Sequence, residues 1–231
     1  MTQKSSLSHA SALITGFGPY PGVEWNPSGA LLPLLGEAGR LDGGSGSIAV
    51  AELPVAYDTV DAALAEAIEL HSPSAVMMLG LRPSGTAVDV ERVALNLDDA
   101  AKPDNQSVLR RGEAIAPDGP PAFISTAPLD QLCQHFTDVG VPAGISNHAG
   151  AYICNRTYYL AQLRAAQGSP ERACVFIHLP WIGRPGIARL DGEPLQLEDL
   201  VAPLLRCAQR LAAPAATLSA GAPPAPASVG T

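Results

Sequence analysis

The chain has 231 residues, 47% of them hydrophobic, enough to bury one sizeable core in a single domain. Its net charge is −8 and its fourteen Lys and Arg residues are scattered rather than striped, so no surface is set to neutralise a phosphate backbone and nucleic acid is excluded as a partner. The apolar stretch near the start is too short for a signal-peptide core or a membrane span, which predicts a cytoplasmic protein without membrane contact.

Residues 1–10 are polar, and 213–231 are almost wholly Ala, Pro, Gly, Ser and Thr. Both lack the bulky apolar surface that offsets ordering entropy, so loose ends are expected around a folded domain at 11–212. In that domain "SALIT" reads as a first strand. "NPSGALLPLLGEA" reads as a helix with Asn26 as cap and Pro27 at its first position, and Pro33 should end or bend it. "SIAVAELPV" is strand-like, "YDTVDAALAEAIEL" spaces its apolar residues as a helix does, and "SAVMMLG" is a buried-strand run. Next come "ERVALNL", a long polar loop over about 101–120, the strand "AFIST" and the helix "LDQLCQHFTDVG", stopped at Gly140. The strand "PAGIS", the helix "YICNRTYYLAQLRAAQG", the strand "ACVFIHLP" and the helix "LEDLVAPLLRCAQRLA" follow. This alternation predicts an α/β fold, a three-layer α/β/α sandwich around a mixed, largely parallel central sheet.

"TGFGPYPG" follows the first strand, where an α/β fold can hold a phosphate loop. Its glycines have the wrong spacing and two prolines interrupt it, so a turn or a binding wall fits better. Phe17, Tyr20 and Trp25 cluster at that strand end, where open sheets place ligands.

The four cysteines, at 133, 154, 174 and 207, show no CxxC spacing, which fits neither a zinc site nor a disulfide framework. Cys154 falls in the first turns of a helix beginning after Gly150, where the helix dipole favours thiolate over thiol. His178 ends the following strand, and in a parallel sheet that end shares an edge with the start of the preceding helix. A Cys–His pair becomes an activated nucleophile if a third group orients the ring. The competing reading is packing, the commonest role of a helical cysteine. His148, six residues before Cys154, rivals His178 as the base, or else shapes the turn.

Four segments in order, over about residues 12–182, resemble the pyroglutamyl peptidase I family, also called pyrrolidone-carboxylate peptidases. "TGFGPYPGVEWNPS" is similar to the family's T-G-F-x-P-F-G-G-x-x-x-N-P-S, and "ERVALNLDDAAKPDN" to E-R-V-A-x-N-x-x-x-A-R-x-P-D-N. "SNHAGAYICN" is similar to S-x-T-A-G-T-F-V-C-N, and "FIHLPWI" to F-I-H-x-P-Y-I. The resemblance implies a thiol peptidase that removes an N-terminal pyroglutamyl residue from peptides without a metal or other cofactor. It implies Cys154 as nucleophile, His178 as base and then acid, and Glu91 as orienting carboxylate; on its own Glu91 reads as a strand-edge charge. It further implies a ring pocket built partly by Phe17, Tyr20 and Asn26, cytoplasmic residence, and often a homotetramer.

Two departures bear on the substrate. The family's G-Q-A-G-G-R becomes Gly80-Leu81-Arg82-Pro83-Ser84-Gly85, so Leu81 stands where a glutamine contributes a polar pocket contact. The arginine of A-R-x-P-D-N aligns with Ala101, and Lys102 beside it compensates only if its chain bends back. The altered positions keep two alternatives open beside the pyroglutamyl reading: a same-fold amidase or aminopeptidase for another N-terminal cap, or an inactive module that binds a small cyclic ligand.

Overall fold

The apolar runs near the start and middle of the chain form β1 (Ala12–Phe17) and β3 (Ala75–Leu81), with every residue buried. Strands covered on both faces need no polar alternation, which is why these runs read as unbroken. The computed structural model describes residues 10–41, 47–168 and 172–213. Apart from residues 10 and 213, the loose ends expected from composition lie outside that set. Ala10 itself is buried, its N–H bonded to the His71 carbonyl.

β1 and β3 join β2 (Ile48–Leu53), β4 (Val88–Glu91), β7 (Ala143–Ser146) and β8 (Ala173–Leu179) in one sheet of order β2-β1-β3-β8-β4-β7. The first four neighbours run parallel, β4 is antiparallel to β8, and β7 is parallel to β4. Helices α1 (Pro27–Leu41), α3 (Leu129–Thr137) and α5 (Val201–Ala212) pack on one face through Leu31, Leu35, Phe136 and Leu204. Helices α2 (Tyr57–His71) and α4 (Ile153–Gln167) cover the other through Tyr57, Leu64, Tyr158 and Tyr159. The result is the three-layer sandwich with a mixed, largely parallel sheet that the alternation predicts. No helix among the described residues is long and apolar enough to cross a membrane.

Asn26 caps α1 as expected, its Oδ1 accepting the Ser28 N–H at 3.1 Å. Pro33, however, does not end that helix, which continues to Leu41. Pro33 is exposed, while Leu31, Leu32 and Leu35 around it are buried against the sheet. Their burial, at about 1.5–3 kcal/mol per side chain, outweighs a proline cost of about 3 kcal/mol. The run "ERVALNL" divides at Arg92: β4 stays in the main sheet, and β5 (Val93–Leu95) pairs with β6 (Ala122–Ile124) in a separate antiparallel ribbon.

A second correction concerns the β7–α4–β8 unit. It is not a crossover between parallel strands, because β7 runs opposite to β8 with β4 between them. The sulfur and imidazole still lie at one edge, because α4 runs antiparallel to β8. Gln162, late in α4, reaches the Cys174 carbonyl at the start of β8, while Cys154 lies beside Gly80, the register partner of His178. Residues 147–152 carry the chain from β7 to that edge through Gly150, whose φ of +83° disfavours any side chain.

Candidate active site

Two strands supply the polar foot of the site. On β4, Val88 and Val90 face the α1/α3/α5 core, which turns Glu91 to the opposite face, fully buried. On β8 the same alternation turns His178 to that face, diagonally across the antiparallel ladder in which Glu91 opposes Phe176. His178 Nδ1 lies 2.7 Å from Glu91 Oε1. A carboxylate only accepts, so Nδ1 carries the hydrogen and Nε2 is left as the basic nitrogen of the neutral ring. The Phe176 ring, 4.7 Å away between centroids, packs against the imidazole.

Glu91 is also gripped by Arg82, whose Nη2 donates to Oε1 at 2.5 Å and to the His148 carbonyl at 2.8 Å, while Nε pairs with Asp89 at 3.0 Å. Burial raises the Glu91 carboxyl, but the hydrogen bond and charge of His178, with Ser146 and Arg82, outweigh it and hold Glu91 below its ordinary range. It is therefore an anion at neutral pH. His148 does not join this chain; its Nδ1 accepts the Gly150 N–H at 2.8 Å, so it shapes the turn, although it also lines the pocket.

Cys154 occupies the first turn of α4, and the next two residues fix that turn. Asn155 bonds the Leu95 N–H and the Leu95 and Leu97 carbonyls at 2.9–3.0 Å. Arg156 is buried and pairs with Asp98 and with Asp61 on α2. The sulfur then abuts β3 at Gly80: a Cβ there would lie 3.0 Å from Sγ and 2.8 Å from the Phe176 ring. Only glycine admits this approach. The thiolate expected from helix position alone is not what results. Burial and then the Glu91 charge push the thiol up to about 12, against the lowering effects of Lys102, its own backbone N–H and Arg82. The resting side chain is a thiol.

Cys154 and His178 line one pocket of about 360 Å³. Phe17, Tyr20, Asn26 and Leu81, the four wall residues singled out in the sequence, line it as well, together with Val55, Lys102, Tyr152 and Ile153. Trp25 is exposed and does not. The Asn26 amide is largely committed to the loop, bonding the Gly18 carbonyl, the Ser28 N–H and the Ser28 hydroxyl. These internal bonds, with the Ser28 hydroxyl also bonded to the Phe17 N–H at 3.1 Å, make "TGFGPYPG" a bracket for the wall rather than a phosphate cradle.

Three participants escaped the reading of the sequence: Arg82, Tyr152 and Asp104. Asp104 orders the long polar loop, accepting the Gln106 and Val108 N–H groups while capping α2 at the Tyr57 N–H from 47 residues away. That order bends the preceding Lys102 back over the Tyr20 ring, 4.0 Å from its centroid. A lone arginine after a buried strand and an Asp in a Pro-Asp-Asn turn carry no signal for such distant partners. Among the described residues no cluster of His, Cys, Asp and Glu could hold a metal ion.

A family model described as pyroglutamyl peptidase matches residues 10–213. A pyrrolidone-carboxylate peptidase of Gloeobacter violaceus is 35% identical over 205 residues, covering 86% of this chain and 98% of that protein. One of Streptomyces coelicolor is 36% identical over 193 residues, covering 84% and 83%. Among solved structures, pyroglutamyl peptidase I from Bacillus amyloliquefaciens superposes with a TM-score of 0.78 at 30% identity, covering 88% of this chain and 97% of its own.

Proposed function

The chain belongs to the pyroglutamyl peptidase family of cysteine peptidases, and on that premise we propose that it hydrolyses the amide bond after an N-terminal pyroglutamyl residue of peptides, with Cys154, His178 and Glu91 as its triad. The observation that carries the proposal is the 2.7 Å bond from His178 Nδ1 to a buried, ionised Glu91 at the foot of the pocket that Cys154 also lines. Glu91 fixes the tautomer in which Nε2 is basic, and the thiol gives its proton to Nε2 as sulfur attacks the pyroglutamyl carbonyl. The raised thiol pKa makes this transfer part of the attack rather than a standing ion pair.

Attack forms the S–C bond and an oxyanion. The N–H groups of Ile153 and Cys154, opening α4, have no acceptor within the helix and are the donors best suited to it. His178 then protonates the leaving nitrogen, the C–N bond breaks, and the free peptide departs from a thioester. Water attacks the thioester, passes its proton to His178, and pyroglutamate leaves as the thiol is restored. Phe17, Tyr20, Leu81 and Ile153 offer the ring methylenes an apolar wall.

Leu81, facing the pocket without a polar atom, favours a second reading: the same chemistry on another N-terminal cap. Fluorophore release from pyroglutamyl, prolyl and acetylalanyl amides, by wild type and Cys154→Ala, decides between them. The first reading expects turnover of the pyroglutamyl amide above the other two, falling by at least about 10⁴-fold in the variant. Preference for another cap supports the second, and turnover unaffected by Cys154→Ala overturns both.

A further inference from the structure

Apart from the Tyr20 and Ser84 hydroxyls, the polar side chains lining the pocket are mostly spent within the protein. The Arg82 guanidinium is neutralised by Glu91 and Asp89 and bonded to the His148 carbonyl, and the Tyr152 hydroxyl donates to the Pro103 carbonyl at 3.1 Å. Asn26 is held by its loop, His148 by Gly150 and His178 by Glu91. Lys102 is different. Its half-buried ammonium stands 4.0 Å above the Tyr20 ring and 5.4 Å from the Tyr152 ring, with no carboxylate at ion-pair distance among the described residues. Two aromatic faces offset part of the cost of drying the charge, but they take none of its three hydrogen bonds.

We propose that Lys102 is a specificity-determining residue, the counter-ion that gives this pocket a preference for ligands presenting an anionic or strongly accepting oxygen beside the Cys154 thiol. The inference rests on the reading of Cys154 as the nucleophile and concerns what that nucleophile is offered. Leu81 cannot donate a hydrogen bond, and beside the neutral hydroxyls of Tyr20 and Ser84 the ammonium is the wall's cationic donor without a carboxylate partner. A lactam carbonyl accepts one bond from it; a carboxylate accepts that bond and also neutralises the charge, so it binds better. Burial lowers the Lys102 pKa, and Cys154 would raise it once ionised, which agrees with an ammonium in electrostatic reach of the sulfur.

Iodoacetate and iodoacetamide alkylate a thiol by the same displacement, sulfur forming a bond to carbon as iodide leaves, and differ in that one carries a carboxylate where the other carries an amide. The ratio of their rates at Cys154, followed by mass spectrometry of its peptide, therefore isolates charge recognition from thiol reactivity, which moves both rates alike. The ratio should fall about tenfold from wild type to Lys102→Met, persist in Lys102→Arg, and collapse in wild type at high salt. An equal ratio in wild type and Lys102→Met, whose fold is checked by circular dichroism, overturns the proposal. Peptidase activity is not needed for this result, so failure of the pyroglutamyl reading, seen as no amide turnover, remains a separate outcome.

Discussion

Cys154 and Cys174 sit at opposite ends of the same packed pair, α4 on β8, and burial pushes both thiols up to about 12. Titration does not distinguish them; their neighbours do. Cys174 lies against the carbonyls of Ala161 and Arg172 at 3.6 and 3.8 Å, inside a cluster of Leu, Val, Met and Tyr side chains. Cys154 opens on a pocket that it shares with a histidine oriented by a buried carboxylate. A thiol packed between helix and sheet becomes a candidate nucleophile when a proton acceptor and a route for substrate reach it, as at the partly exposed Cys154, and otherwise it is core, as at the buried Cys174.

The contrast should break most severely at Glu91. Glu91→Gln keeps the volume but removes the obligatory acceptor, so the ring can present its N–H toward the thiol, and kcat should fall about 10³–10⁴-fold. Stability carries a sign as well. Because the folded pKa of Glu91 is depressed, its stabilisation is complete above the ordinary glutamate value, about 4.3, and is lost as pH falls through the lower folded value. The gap in Tm between wild type and Glu91→Gln is thus widest near neutrality and closes in acid; a gap that widens in acid contradicts the assignment.

A smaller effect comes from crowding the sulfur. Gly80→Ala sets a methyl 3.0 Å from Sγ and 2.8 Å from the Phe176 ring, displacing the sulfur by a fraction of an ångström. The cost should be about 10²-fold in kcat, with KM changed less, as read from steady-state kinetics. The smallest effect belongs to the other end of the pair: Cys174→Ala should leave turnover unchanged and cost about 1–2 kcal/mol in urea unfolding.

Where the chain makes its own contacts locally, the sequence predicts them well. The buried strands at 12–17 and 75–81, the Asn26 cap and the helical stretch around Cys154 follow from short-range pattern. That Cys154 and His178 line one pocket was legible too, although by a route the structure corrects, since β7 is not parallel to β8. Glu91 is a different case. Its link to His178 depends on β4 pairing antiparallel to a strand 87 residues away, which no local pattern specifies, so only the resemblance pointed to it. Arg82 was opaque for the same reason, its partners spanning Asp89, Glu91 and His148. Pro33 does not end α1 because a helix pinned by Leu31 and Leu35 tolerates one missing hydrogen bond.

The most direct measurement is capture of the acyl-enzyme. A pyroglutamyl ester, mixed rapidly with enzyme and quenched in acid, should leave one pyroglutamyl group on the peptide that contains Cys154, and none in Cys154→Ala. An enzyme that turns the ester over while carrying no acyl group, or carrying it on Cys133, would contradict the account.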